Sequence, residues 1–310
     1  MDILWPIKWI IELILSSFHT AFTFIGLNEK WGITWVLSIV GLVLVVRAAL
    51  IPIFVKQIKS QRNMMLVQPE LAKLQKKYKG KTDRESREKF AKEQMDLYKR
   101  TGSNPLSSCL PILLQMPIFF SLFSVLQAAS NGDAGVSFMD VKLAESFKDS
   151  VFLNAPLKDS LASASNPSVY ILGIVMIIAM TASQFITQKQ IMAKNQNAAT
   201  MTTQYIQTQK IMLYAFPLIF AISGIAFPLG LMFYWLTSNF WTMGQQYFVI
   251  RRMPTPGSKA YEERQTRLAK KGKLAAVVDE IEAEAETIDI VRENSQRAQP
   301  VSKKRNKKRK

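Results

Sequence analysis

The sequence has one cysteine, one histidine and no acidic residue in its long apolar runs. Each absence removes a class of function. With Cys109 alone, the chain cannot build an internal disulfide framework. With His19 the only histidine, Cys/His zinc sites are excluded. A Ser/His/Asp or Cys/His nucleophile system would have to recruit His19 from an apolar N-terminal segment, where an interfacial histidine is the simpler reading. The apolar runs lack the Asp and Glu that proton-coupled pumps place inside the membrane, and no inverted repeat of the transporter kind is visible.

What is present pulls two ways. The 310 residues include 40 Lys+Arg against 23 Asp+Glu, a net charge of +17, which suggests a polyanion or an anionic surface as partner. Yet 48% of the residues are hydrophobic, which excludes disorder over the whole chain. Segregation resolves the conflict. No charge occurs from 34 to 46, 101 to 132, 160 to 188 or 211 to 250. A membrane span needs about 20 mostly apolar residues.

The runs predict an all-α integral membrane protein with five transmembrane helices, at 34–55, 106–126, 169–187, 211–225 and 229–250. The 40 uncharged residues of 211–250 divide at Ser223-Gly224 to Pro228 into two spans joined by a tight hairpin. The first of these, 211–225, is expected to be short, about 22 Å at 1.5 Å per residue, and so to thin the bilayer. Charge sets the orientation. Segment 56–105 holds 14 basic and 6 acidic residues, 189–210 holds 3 basic and none acidic, and 251–310 holds 17 and 9. Segments 130–168 and 1–31 are slightly acidic. Alternating spans put the three basic segments in the cytosol, so the hairpin at 56–105 and the C-terminus are cytosolic. Residues 3–26 read as an amphipathic helix lying on the outer surface, with an additional span as the alternative. Lys8 and Glu12 stand there at i,i+4. The domains expected are an interfacial helix (1–31), a core (32–253) and a basic, largely disordered tail (254–310).

Segment 56–100 predicts a helical hairpin. Pro69 should interrupt or restart its first arm, Gly80-Lys81 should make the turn, and Thr82 with Glu85 should box the start of the second arm. Glu85–Lys89, Glu88–Lys92 and Asp96–Arg100 are i,i+4 pairs, and Gly102 sits where a helix stops. In the tail, Lys303, Lys304, Arg305, Lys307, Lys308, Arg309 and Lys310 form a cationic run. It would bind ribosomal RNA or anionic lipid through phosphate neutralisation.

Polar residues inside the spans carry the functional signal. Arg47 lies within the first span, where a charge costs on the order of 3 kcal/mol. It either snorkels to the interface or faces a water-filled recess. Tyr234, Ser238, Thr242 and Gln245 share one face of the last span, and Thr181, Gln184 and Gln188 one face of the third. With Arg47 they suggest a hydrophilic groove. Ser121, Ser124 and Gln127 in the second span read instead as interhelical glue.

The run Asn104-Pro105 followed by CLPILLQMPIFFSLF (109–123), the first span with Arg47 then Pro52, and FPLGLMFYWLTSNFWTMGQQYFV (227–249) closely resemble the YidC family of membrane protein insertases. The resemblance covers roughly 31 to 253 and looks like the short type of Gram-positive bacteria, without a large outer domain. It implies a positively charged groove, open to cytosol and lipid and closed to the outside, in which Arg47 matches the important arginine. Phe119 and Tyr234 match positions that contact the nascent chain, and Gln184 and Gln188 fall where groove amides are expected. Segment 56–105 matches the cytosolic hairpin of relatives. Cys109 falls in a matching motif and is assigned no chemistry. The expected partners are nascent membrane proteins, the Sec translocon, the ribosome (through the hairpin and basic tail) and the lipid bilayer of the bacterial cell membrane. No cofactor, metal or bond-making activity is expected. The alternatives are a small-molecule transporter or channel, and a passive membrane anchor for ribosomes or RNA.

Overall fold

A computed structural model of the chain describes residues 2–101, 110–194 and 202–272. The described residues are mostly helical. Helix α1 (Trp5–Phe24) carries Pro6 in its first turn, where the missing N–H costs nothing, and lies along α2 (Gly32–Ala49) and α5 (Leu110–Asn131). Its inner face inserts Ile11 and Leu15 into a core that also holds Trp35, Ile39 and Leu42. Lys8 does not pair with Glu12. It bonds Asp2 at 2.8 Å, and Glu12 turns inward and is fully buried. His19 is likewise buried rather than interfacial. Its ring lies 4.3 Å from that of Trp35, and Nε2 is 2.9 Å from the Glu29 carbonyl. Burial pushes its imidazole below the ordinary range.

The expected first span, 34–55, is two helices. Helix α2 ends at Ala49, Leu50 joins the two helices with φ −86° and ψ −4°, and α3 (Ile51–Tyr78) begins with Pro52 in its first turn. Pro52 has no N–H to offer the Ala48 carbonyl, so the ladder breaks there. Pro69, in contrast, interrupts nothing, because α3 runs through it for 28 residues, about 42 Å. Gly80 makes the turn at φ +84°. Helix α4 (Arg84–Arg100) is capped one residue later than expected. The Asp83 carboxylate accepts the Ser86 N–H at 2.8 Å, replacing the Thr82/Glu85 box. Of the expected ion pairs, Glu85–Lys89 forms at 2.6 Å. Glu88 turns back to Arg84, and Arg100 donates to the Asp96 backbone carbonyl. Val67, Leu71, Leu97 and Tyr98 form the hairpin's own small core. Gly102, Asn104, Pro105 and Cys109 lie outside the described residues.

Beyond α5, a short α6 (Val141–Lys148), capped by Asp140, leads into a two-stranded ribbon, β1 (Val151–Phe152) and antiparallel β2 (Ala155–Pro156). Leu153 and Asn154, both at positive φ, make its turn. Trp35, fully buried, donates to Ser146 Oγ at 3.2 Å and packs edge-on to Phe147, which ties α2 to α6.

Helices α7 (Pro167–Lys194), α8 (Thr203–Gly224) and α9 (Leu229–Arg252) complete the bundle, with α7 packed on both α8 and α9, and α2 also on α9. Helix α8 is not short. It begins at Thr203, capped by the Thr202 hydroxyl, and its 22 residues span about 33 Å. Only its charge-free part, from Ile211, is short, so bilayer thinning does not follow from helix length. Among the described residues, three helical segments are long and apolar enough to cross a membrane: Gly32–Ala49, Leu113–Asn131 and Pro167–Lys194. The opening of the tail is ordered, against expectation. Helix α10 (Lys259–Ala269) packs on α7 and α9, with Lys194–Glu263 at 3.8 Å and Arg267 bonded to the Arg251 carbonyl at 2.9 Å. Residues 273–310, with the cationic run from Lys303 to Lys310, lie outside the described residues.

Candidate functional site

A cavity of about 440 Å³ opens inside the bundle, walled by α2, α3, α5, α7, α8 and α9. Arg47 reaches it from the last turn of α2, and Phe54, Gln57, Ile58 and Gln61 line it from the first turns of α3. On α9, Tyr234, Ser238, Thr242 and Gln245 follow one another down one face, as the i, i+4, i+8, i+11 spacing predicts. Gln115, Met116 and Phe119 come from α5 and Gln184 from α7.

Arg47 is the only charged residue among the described lining residues, and no acid lines the wall. It is half-buried, with its guanidinium carbon 5.5 Å from the centre of the Phe54 ring. Gln115 donates to the Tyr234 hydroxyl, joining α5 to α9. Trp241 donates to Gln245 at 3.1 Å, and Thr242 to the Ser238 carbonyl at 2.8 Å. Three lining atoms are buried with no hydrogen-bond partner in the protein: Gln57 Nε2, Gln184 Oε1 and Ser238 Oγ. An unmade bond of this kind costs about 1–3 kcal/mol. These groups therefore call for water or a polar guest.

Of the expected groove residues, Arg47, Gln184, Tyr234, Ser238, Thr242, Gln245 and Phe119 meet at this cavity. Gln188 does not. Its amide donates to Gln209 Oε1 at 2.6 Å and stitches α7 to α8. Ser121, expected as glue, has a buried hydroxyl with no partner. The sequence reading missed Gln57, Gln61, Gln115, Asn239 and Gln246. A signal existed for the first two, an i,i+4 amide pair directly after Pro52, but they fell in the segment assigned to the cytosolic hairpin. Among the described residues, no group of three His, Cys, Asp or Glu side chains could hold a metal ion.

Comparison with known proteins places this cavity in context. A profile of the family described as 60Kd inner membrane protein matches residues 26–256. The chain is 42% identical over 319 residues to the membrane protein insertase YidC of Tropheryma whipplei (strain Twist), covering 99% of this chain and 97% of that protein. It is 44% identical over 274 residues to the YidC of Streptomyces avermitilis, covering 86% of this chain and 61% of that one. It also matches a crystal structure of an active YidC insertase with its first transmembrane domain resolved. That match has 27% identity and a TM-score of 0.43, and covers 69% of this chain and 41% of the other.

Proposed function

The chain belongs to the 60Kd inner membrane protein family, and from that premise we propose that it is a membrane protein insertase of the bacterial cell membrane. It is an integral membrane protein whose work is transfer of polypeptide from water to lipid, not the making of covalent bonds. Its substrates are nascent membrane proteins, received alone or together with the Sec translocon. Helices α2, α5, α7, α8 and α9 supply five spans. The hairpin α3–α4 and the tail from Met253 face the cytosol, as the positive-inside rule requires, and are the surfaces offered to the ribosome. Helix α1 lies at the outer interface.

One observation carries the mechanism: a chamber in which Arg47 is the only charge among the described lining residues and whose wall holds polar atoms without partners. A hydrophilic segment entering it meets amides and water instead of hydrocarbon, which lowers the barrier to crossing. An acidic residue about 4 Å from Arg47 gains about 4 kcal/mol at an effective dielectric of 20, before desolvation is subtracted. The apolar helix of the substrate then leaves for lipid and supplies the driving free energy. Phe119 and Tyr234 face the chamber where a nascent chain would pass.

The test is site-specific crosslinking from Phe119 and Tyr234 to a stalled nascent chain, combined with insertion assays in reconstituted vesicles. Arg47→Ala should slow insertion of single-spanning substrates with acidic translocated segments on the order of tenfold, the effect of about 1.4 kcal/mol, and Arg47→Lys should restore part of it. Unchanged insertion by Arg47→Ala would sink the role given to this charge. Solute flux through sealed vesicles without crosslinks would favour a transporter. Loss of function on deleting Lys303–Lys310, with Arg47 changes silent, would favour a passive anchor.

A further inference from the structure

We propose that Trp31, Val151 and Leu153 form an interfacial anchor that dips into the outer leaflet of the bilayer, at the boundary between headgroups and acyl chains. This rests on the reading that the bundle spans the membrane with the N-termini of α2 and α7 outermost. The ribbon of β1 and β2 sits between those two helix ends. On one side Trp31, the residue before α2, forms a backbone bridge with Val151. On the other side Asn166, the residue before α7, donates its amide to the Asn154 carbonyl at 2.6 Å. Phe152 turns inward and meets Phe233 of α9 edge-on at 5.3 Å. Val151, on the other face of the strand, turns outward, and Leu153 follows it at the ribbon's tip.

The chemistry of the tip does not suit water. Leu153 and Asn154 have positive φ, 49° and 62°. A two-residue hairpin turn of this kind favours Asn-Gly, and a bulky L side chain there is sterically strained. Leu153 is nevertheless 72% exposed and lies outside the hydrophobic core. In water it would combine strain with bare apolar surface. Trp31 and Val151 beside it are exposed as well. The nearest charges in sequence, Lys30 and Asp149, neutralise each other at 3.0 Å.

Continuity with a lipid-facing surface identifies the occupant. On α7, exposed Ile171, Ile174, Val175 and Ile178 recur at i, i+3, i+4 and i+7, an apolar stripe on a helix long and apolar enough to cross a membrane. The stripe ends at the α7 N-terminus, where the ribbon tip is attached. Exposed Tyr170 and Trp31 stand at the starts of α7 and α2, and such side chains favour the membrane–water boundary. Apolar groups held at this boundary lie about 5–10 Å deep. Anchoring Trp31 also holds the outer end of α2, and Arg47 follows about 24 Å along that helix. The anchor thus sets the depth at which this charge meets a client.

The test uses the full chain with Cys109→Ser, which leaves no other thiol, in phosphatidylcholine/phosphatidylglycerol vesicles. Leu153→Cys, Ile174→Cys and Glu88→Cys are made singly in that chain and labelled with the environment-sensitive dye NBD. At position 153 the dye should emit as in an apolar medium. A nitroxide at carbon 5 of the lipid acyl chain should quench it about twofold more than one at carbon 12, as the boundary depth requires. At position 88, exposed on α4, the dye should emit as in water. Iodide on both sides of the bilayer should quench it there on the order of fivefold more than at 153. Where Leu153→Cys fails to keep its helical circular dichroism, Val151→Cys decides by the same readings. Water-like emission from the ribbon, with position 174 in lipid, would overturn the anchor and leave the patch to a protein partner. Water-like emission at 174 as well would remove the spanning helices and the anchor with them. Insertion by the same vesicles is read separately. Its absence, with the ribbon probe in lipid, counts against the insertase and leaves the anchor standing.

Discussion

Removing the Glu12 carboxylate should loosen α1 from the rest of the fold. This side chain is 0% exposed, and its two oxygens accept four consecutive backbone N–H groups of the α5–α6 loop. Val136 lies at 2.7 Å, Ser137 at 2.8 Å, Phe138 at 3.0 Å and Met139 at 3.3 Å. Bonds to a charged acceptor are worth about 1.5–3 kcal/mol each in isolation. Four of them share two oxygens here, and Ser137 and Phe138 are exposed enough for water to replace the carboxylate. That reduces the net loss in Glu12→Ala to about 3 kcal/mol, well below the simple sum. Glu12→Gln should be nearly as damaging, because its amide NH₂ points a donor at donors. At about 2 °C per kcal/mol, the low end of the range for chains of 150–250 residues and the value nearest to this chain of 310, the expected fall in midpoint is about 6 °C. Tryptophan fluorescence in detergent micelles reads the midpoint, and hydrogen exchange of residues 136–139 localises the change. A midpoint within about 1 °C of wild type, with unchanged exchange in that loop, would refute the anchoring role.

Two further perturbations follow. Lys77 and then Tyr78 hold the Glu93 carboxyl below the ordinary glutamate range, while Glu93 raises Lys77 above the ordinary lysine range. The α3–α4 contact is therefore complete between those limits. It weakens as pH falls through the lowered Glu93 value, and again as pH rises through the raised Lys77 value; Glu93→Gln should flatten the acid limb in proteolysis of the hairpin, and an unchanged limb would remove Glu93 as its cause. Gly32→Ala should destabilise the packing of α2 against β1 by about 1–3 kcal/mol, because a Cβ there would stand 2.5 Å from the backbone of Val151 and Phe152, and wild-type thermal stability would contradict it.

Much of the bundle was legible because charge and apolar run length are one-dimensional signals. Helices α2, α5, α7, α8 and α9 each overlap a charge-free run, and the stripe on α9 projects as its spacing requires. The misses have local physical causes. Pro52 and Pro69 are the same residue type, yet one begins a helix and the other sits within one. Asp83 outcompeted Thr82 as a cap, a difference of one residue that propensity does not resolve. Gln188 shares a face with Gln184, but a partner on α8 captures it. Glu12 looked like half of a surface pair, and its true partners are 124 to 127 residues away.

The distribution of satisfied and unsatisfied polar groups separates the two ends of the molecule. At the α6 end, several polar groups are closed among themselves, although Ser121 on α5 keeps a buried hydroxyl without a partner. Glu12 serves four N–H groups, and Trp35 reaches the Glu29 carbonyl through Ser146, which donates to it at 2.6 Å. At the chamber, Gln57, Gln184 and Ser238 each keep a buried atom without a protein partner, and Arg47 has no acid beside it among the described lining residues. A protein that maximised stability alone would pair these groups or replace them with apolar side chains. Keeping them open makes sense where the partner arrives from outside and leaves again, as the polar segment of a client chain does. On the proposed reading the chamber would bind many sequences weakly, because amides and a guanidinium recognise backbone and charge, not a particular side-chain pattern.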